Sequence, residues 1–169
     1  MERTPARADV ETMARRTALA HAVQEDLAAA GLPVDTGTTA FHAAVGSGAS
    51  VSVSELADEN GVFVLWRTHH VLRAAVLTAL SEGREHDSPA VHHSGEAQRA
   101  MQNAMAEILT ATGCTVIKDF DDMSPFVLKV VDRTPPTGPS WQAWLDAQSD
   151  ALAAARAETI RRHAEKRTP

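Results

Sequence analysis

The chain has 169 residues, of which 44% are hydrophobic and 22% charged, a composition typical of one soluble globular domain with or without extensions. Its 16 basic and 22 acidic residues give a net charge of −6, so its overall field does not attract nucleic acid. The single cysteine excludes an internal disulfide, and no apolar run approaches the roughly 20 residues of a membrane span.

Two periodicities divide the chain into four helices and five strands. Apolar residues that recur every three or four positions predict helices, and alternation of apolar and polar residues predicts half-buried strands. In chain order the predicted elements are a helix over 6–30, strands over 38–45, 50–56 and 62–67, helices over 69–83 and 95–112, strands over 114–120 and 125–132, and a helix over 141–165.

The same periodicities predict which side chains share a face. The first helix is expected to bury a stripe that begins at Val10 and runs through Ala20, Val23 and Leu27. The second helix is expected to bury Val71, Leu72, Ala75, Val76, Ala79 and Leu80. Expected to share a strand face are Val51 with Val53, Val62 with Val64 and Trp66, Val116 with Lys118 and Phe120, and Phe126 with Leu128 and Val130.

Capping residues and a proline set the expected boundaries of the middle helices. Thr68 and Ser94 are favourable N-cap residues for the second and third helices. The polar stretch between these helices contains a proline, so residues 84–93 are predicted to form a loop.

These elements predict an α+β domain in which helices pack on an antiparallel sheet of about five strands, a three-strand meander plus a hairpin. The expected order is α-β-β-β-α-α-β-β-α, with the domain over residues 1–132, a proline-rich linker over 133–139 and a long helix over 140–169. The pattern leaves open whether the fifth strand pairs beside the first or the fourth.

The element order resembles a known family. A helix, three strands, a helix, two strands and a helix is the order in small bacterial secretion chaperones, and this chain has one additional helix in the middle. The resemblance rests on element order, without signature residues. It implies a protein that works by binding another protein.

Histidines are concentrated in one part of the chain. Five of the eight lie between His69 and His93, and imidazole is the commonest nitrogen ligand of first-row metals. His86, His92 and His93 fall in the predicted loop and form a candidate set of three metal ligands. Their spacing matches no metal motif, and the favoured interpretation is that they are solvated loop histidines.

The last helix offers a candidate partner-binding face. Its apolar positions weaken along the chain and include Trp141, Trp144, Leu145, Leu152 and Ile160. The predicted helix is roughly 37 Å long, more than a small domain needs. Docking on the same chain and contact with a second chain are equally compatible with the pattern.

The sequence therefore predicts a small cytoplasmic, non-catalytic binding or adaptor protein, with a protein partner or a second copy of itself, no membrane and no cofactor. Cys114, as a lone cysteine, suits a reducing compartment and is expected to be a small buried side chain. One alternative is a metal-dependent enzyme that uses His86, His92 and His93. A second is a regulator that contacts nucleic acid through its slightly basic ends. The sequence identifies no small-molecule ligand.

Overall fold

A computed structural model describes residues 6–35, 46–57, 61–134 and 141–165, and within the last range it describes the side chains of 147–162. The chain divides into two compact units, residues 1–134 and residues 135–169. The elements of the first unit are α1 (Val10–Ala29), β1 (Val34–Asp35), β2 (Gly48–Val53), β3 (Val62–Arg67), α2 (His70–Ser81), α3 (Pro89–Ala111), β4 (Cys114–Ile117) and β5 (Val127–Arg133). The second unit contains α4 (Trp141–Glu165).

The predicted α+β class is confirmed, but the sheet is mixed rather than wholly antiparallel. Its strand order is β1-β2-β3-β5-β4, and β1 runs parallel to β2, with Val34 opposite Ala49. The twelve residues between β1 and β2 provide the length that a parallel crossover requires. The strand predicted over 38–45 lies outside the described residues.

The remaining strand pairs are antiparallel and include both predicted hairpins. β2 pairs with β3, and β4 pairs with β5. The position of β5, which the sequence leaves open, is between β3 and β4. β5 ends at Arg133, so the strand extends one residue into the predicted linker.

α1 and α3 pack on one face of this sheet and enclose the core. The alternation predicted for β3 and β5 is confirmed there, since Val62, Val64, Leu128 and Val130 are all fully buried. Trp66, Val51 and Val53 pack against the same cluster. The other fully buried side chains of the cluster are Val23 and Leu27 on α1, Ala49 on β2, and Met105 and Leu109 on α3.

Three expectations for the starts of the helices are wrong, each for a local reason. Val10 is exposed because it is the first residue of α1 and lies beyond the buried stripe. α2 is capped by His69 rather than Thr68, with the His69 Nδ1 accepting from the Val71 N–H at 3.4 Å. α3 begins at Pro89 after Ser88, because a proline in the first helical position loses no hydrogen bond.

Gly48 holds the junction between β1 and β2. Its φ is +117°, and a Cβ there would lie 2.3 Å from the Pro33 carbonyl oxygen, which accepts from the Ala49 N–H at 2.8 Å. We expect Gly48→Ala to lower the free energy of unfolding by about 2 kcal/mol, measured by urea denaturation. Gly31→Ala is the matched control, since Gly31 has a φ of +84° but open space around it. Equal losses in the two variants would contradict the close approach at Gly48.

Cys114 is buried at the start of β4, as the sequence predicts. Burial raises the pKa of the Cys114 thiol above its ordinary value. A raised pKa leaves less thiolate, so near neutral pH a disulfide reagent should modify the native thiol at least about tenfold more slowly than the urea-unfolded thiol. The measurement is the absorbance of the released reagent thiolate. Equal rates before and after unfolding would contradict the buried position.

Candidate functional site

The face of the sheet opposite α1 and α3 forms the candidate functional site, which we call the open face. It is a groove of about 670 Å³. Its residues come from three strands and from the loop before β5: Ser50 and Ser52 on β2, Phe63, Leu65 and Arg67 on β3, Phe120, Asp121 and Ser124 in the loop, and Val127 and Lys129 on β5.

The central strands of the open face have apolar side chains where a water-facing sheet has polar ones. An antiparallel sheet with one solvated face alternates apolar residues inward and polar residues outward. β2 follows this rule with Ser50 and Ser52, but β3 and β5 place Phe63, Leu65 and Val127 outward. All three are only half-buried. The centre of the open face therefore has apolar side chains that a binding partner can reach, as binding surfaces do.

Phe120 adds a second aromatic ring to this surface. Its ring centroid lies 5.5 Å from that of Phe63, and the Lys129 Nζ lies 5.7 Å from the Phe120 centroid. The prediction that Phe120 shares a face with Val116 is therefore wrong. β4 ends at Ile117, and Asp119 adopts a φ of +53°, which breaks the alternation before Phe120 is reached.

Polar contacts with α3 hold the loop that supplies Phe120. The buried Gln102 donates to the Pro125 carbonyl at 3.0 Å, and the Lys118 Nζ donates to the Asn103 Oδ1 at 3.3 Å. Within the loop, the Asp121 carboxylate accepts from the Met123 N–H at 3.0 Å. The ring is thus presented by an anchored loop.

The charged side chains of the open face are two cations and one carboxylate, Arg67 and Lys129 against Asp121. Arg67 also donates to Asp35 at 3.1 Å, at the β1 side of the groove. The chain as a whole has a net charge of −6. With Asp35 counted, two cations and two carboxylates lie at the groove, so it lacks the excess of negative charge that the chain as a whole has.

A smaller groove of about 360 Å³ continues from the open face around the end of β3. Leu65 and Arg67 line both grooves. The smaller groove is otherwise lined by Trp66, Thr68, Arg73, Val76, Leu77, Ser94 and Gln98. The accessible surface thus extends from the sheet to one side of α2.

The three predicted metal ligands are not brought together. His92 and His93 lie in α3 rather than in a loop, and as adjacent helical residues they point about 100° apart. His86 lies in the turn before α3, with its Nε2 4.0 Å from the Glu85 carboxylate. All three side chains are exposed. Among the described residues, no group of three or more His, Cys, Asp or Glu side chains is placed to hold a metal ion.

The predicted partner-binding residues all lie in α4. Leu152 and Ile160 have relative exposures of 60% and 70%. Trp141, Trp144 and Leu145 belong to the helix, but their side chains lie outside the described set. Near the carboxyl end, Glu158 pairs with Arg161 at 2.6 Å and with Arg162 at 2.8 Å, which neutralises part of the basic charge there.

Comparison of this chain with protein-family models, with curated proteins and with solved structures found no match. The resemblance to secretion chaperones therefore remains one of element order. In the described part of the chain, no helix has the length and apolarity that crossing a bilayer requires.

The residues of the open face match no functional motif in the sequence, although one signal for them is present. Val62–Arg67 is apolar at five of its six positions, whereas a strand with one solvated face is apolar at alternate positions only. A strand with apolar side chains on both faces is expected to pack against other parts of a protein on both faces. Among the described residues of the first unit, α1 and α3 are the helices that pack on the sheet, and they cover one side of β3.

Proposed function

We propose that the first unit is a non-catalytic protein-binding module, a cytoplasmic adaptor or chaperone-like protein. Its open face receives an extended segment of a partner protein. The observation that carries this proposal is the apolar outward side of β3 and β5, at Phe63, Leu65 and Val127. The buried lone thiol of Cys114 supports a reducing compartment.

The shape of the groove favours an extended segment over a compact ligand. Three strands and one loop line it, so its floor is the surface of the sheet itself. Apolar side chains of a bound segment would cover Phe63, Leu65 and Phe120, while the hydroxyls of Ser50 and Ser52 are available to its polar groups. This division is the usual one at protein interfaces, an apolar centre with a polar rim.

The charge of the groove indicates the composition of the segment. Arg67 and Lys129 line the groove together with Asp121, and Arg67 is already paired with Asp35 at the β1 side. A segment with apolar residues and an Asp or Glu placed near Lys129 complements this arrangement, and charge complementarity of this kind contributes to specificity and association rate. A segment rich in Lys and Arg would be disfavoured by the same cations.

Selection from a displayed library of random peptides, with the full chain immobilised, tests this function. We expect selected peptides to be apolar and acidic. Leu65→Asp, which places a carboxylate at the centre of the open face, should weaken their binding at least about tenfold. Val10→Asp introduces the same carboxylate at an exposed position on α1 and should leave binding unchanged. Selected peptides that bind both variants equally would contradict the proposal.

A further inference from the structure

α2 is exposed over most of its circumference despite an apolar sequence. It packs against α3, and Ala79 is its one buried residue. The expected burial of Val71, Ala75 and Leu80 is wrong, since all three are exposed. The relative exposures of Val71 and Leu80 are 62% and 49%, and that of the neighbouring Leu77 is 67%. A helix that packs on one neighbour only normally covers its other sides with charged and polar residues.

α2 has almost no charge with which to do so. Arg73 is the one charged residue among its 12. The exposed residues of α2 include no Asp, Glu, Lys or Arg, and the half-buried Arg73 lies one turn before Leu77. These exposed residues, which we call the α2 face, are His70, Val71, Ala74, Ala75, Leu77, Thr78, Leu80 and Ser81. Such a face is expected where a second surface covers a helix.

We propose that a second copy of this chain covers the α2 face, with the two α2 helices antiparallel across a two-fold axis. In such a pair, residues near the axis meet their own counterparts, so a charge there would face a like charge. Each copy has a net charge of −6, which opposes contact over most of the surface. An uncharged face is the place where two such copies can meet without repulsion.

The small side chains of α2 and the dipole of the helix also fit an antiparallel pair of α2 helices. Ala74 and Thr78 are small and lie one turn apart, which lets two helix axes approach to about 8 Å. In an antiparallel pair, the carboxyl end of α2, followed by Glu82, lies beside the amino end of the other copy, where His69 and His70 are. The opposed helix dipoles favour this antiparallel arrangement, while Glu82 pairs with Arg84 of its own chain. None of the residues that line the open face belongs to α2, so this inference stands apart from the proposed function, although Leu77 also lines the smaller groove.

Sedimentation velocity of the full chain over a range of concentrations tests the pairing. We expect a species of twice the 18.1 kDa chain mass that dissociates on dilution, since one short helix buries less area than a standard interface. Leu77→Glu should raise the dissociation constant at least about 100-fold, because it places like charges together. Ala74→Glu provides a second variant, at an exposed position where the fold itself is not at risk.

Two control variants separate the α2 face from other surfaces. Met123→Glu changes an exposed residue of the loop before β5 and should leave the dimer intact. Leu152→Glu tests α4, the face that the sequence analysis singled out, and should also leave the dimer intact. A wild-type chain that stays monomeric at every concentration would overturn the proposal. So would a dimer that survives both α2 variants or is lost with Leu152→Glu.

Discussion

Replacing Arg16 with alanine should lower the free energy of unfolding by about 3–4 kcal/mol, the largest loss that we expect from a single polar side chain here. Arg16 is buried on the core-facing side of α1. Its Nη1 donates to the carbonyls of Ser54 and Leu56, both at 2.7 Å, and its Nη2 donates to the Ala57 carbonyl at 3.4 Å. Without the guanidinium, these carbonyl groups lose a charged hydrogen-bond donor.

The contact also ties together three parts of the chain. Arg16 binds carbonyls within residues 54–57, and this segment also pairs with the residues before α1. The Ala8 N–H donates to the Glu55 carbonyl and the Ala57 N–H donates to the Ala6 carbonyl, each at 2.8 Å. Losing Arg16 therefore loosens α1, the end of β2 and the chain before α1 together.

Urea denaturation of matched variants measures the effect of Arg16. Arg15→Ala is the control, because Arg15 is exposed and, among the described residues, donates to the Thr12 hydroxyl at 3.3 Å in the preceding turn of the same helix. Arg16→Lys should fall between wild type and alanine, since an ammonium keeps the charge but lacks the planar fork that spans several carbonyls. An Arg16→Ala loss no larger than that of Arg15→Ala would show that the contact does not stabilise the fold.

Arg133→Met should lower the free energy of unfolding by about 3 kcal/mol, because it removes the arginine that pairs with a buried carboxylate. The Arg133 Nη2 lies 2.9 Å from the Asp26 Oδ1, and the Asp26 side chain is 1% exposed. The pair joins the last residue of β5 to the core-facing side of α1. The methionine keeps much of the volume of the arginine, so the decrease in the free energy of unfolding measures mainly the effect of removing the charge.

A second ion pair provides the control for burial. Arg99 and Glu96 also lie 2.9 Å apart, but their side chains are 60% and 55% exposed. Arg99→Met should cost no more than about 1 kcal/mol, because solvent screens an exposed pair. In the double variant Asp26→Asn with Arg133→Met, most of the loss should be recovered, since no buried charge remains. Thermal and urea denaturation of the four chains give these differences, and equal losses at the two pairs would contradict the account.

α1 shows what the sequence could predict and what it could not. The stripe Ala20, Val23 and Leu27 was identified from its spacing and is buried. Arg16 and Asp26 lie on the same side of the helix, but periodicity treats a charged residue as solvent-facing. Their partners are 38–41 and 107 residues away along the chain. No local pattern reports a contact over such distances.

The sheet likewise contains features that the sequence predicts and features that it does not. The alternation of β2, β3 and β5 predicted the core-facing valines, because a half-buried strand has a period of two. The parallel pairing of β1 depends on Val34 and Asp35 alone, too short a strand to leave a period. The outward side of β3 was visible in the sequence as a continuous apolar run, but only the structure shows that α1 and α3 cover the other side.

The predicted histidine site illustrates the limit of composition. Five histidines within 25 residues suggested a cluster, but the geometry depends on where α3 begins. Pro89 starts the helix instead of breaking the chain, and this separates the directions of His92 and His93. A high local number of histidines does not fix the directions of their side chains, and metal coordination requires those directions to converge.

Amide chemical-shift mapping of the isotopically labelled full chain, titrated with a selected apolar and acidic peptide, tests the open face most directly. We expect the largest shifts at Phe63, Leu65, Phe120 and Lys129, with saturation at one equivalent and little change along α1. Shifts confined to α2 or α4, with the open face unchanged at saturation, would contradict the proposal that this side of the sheet binds a partner segment.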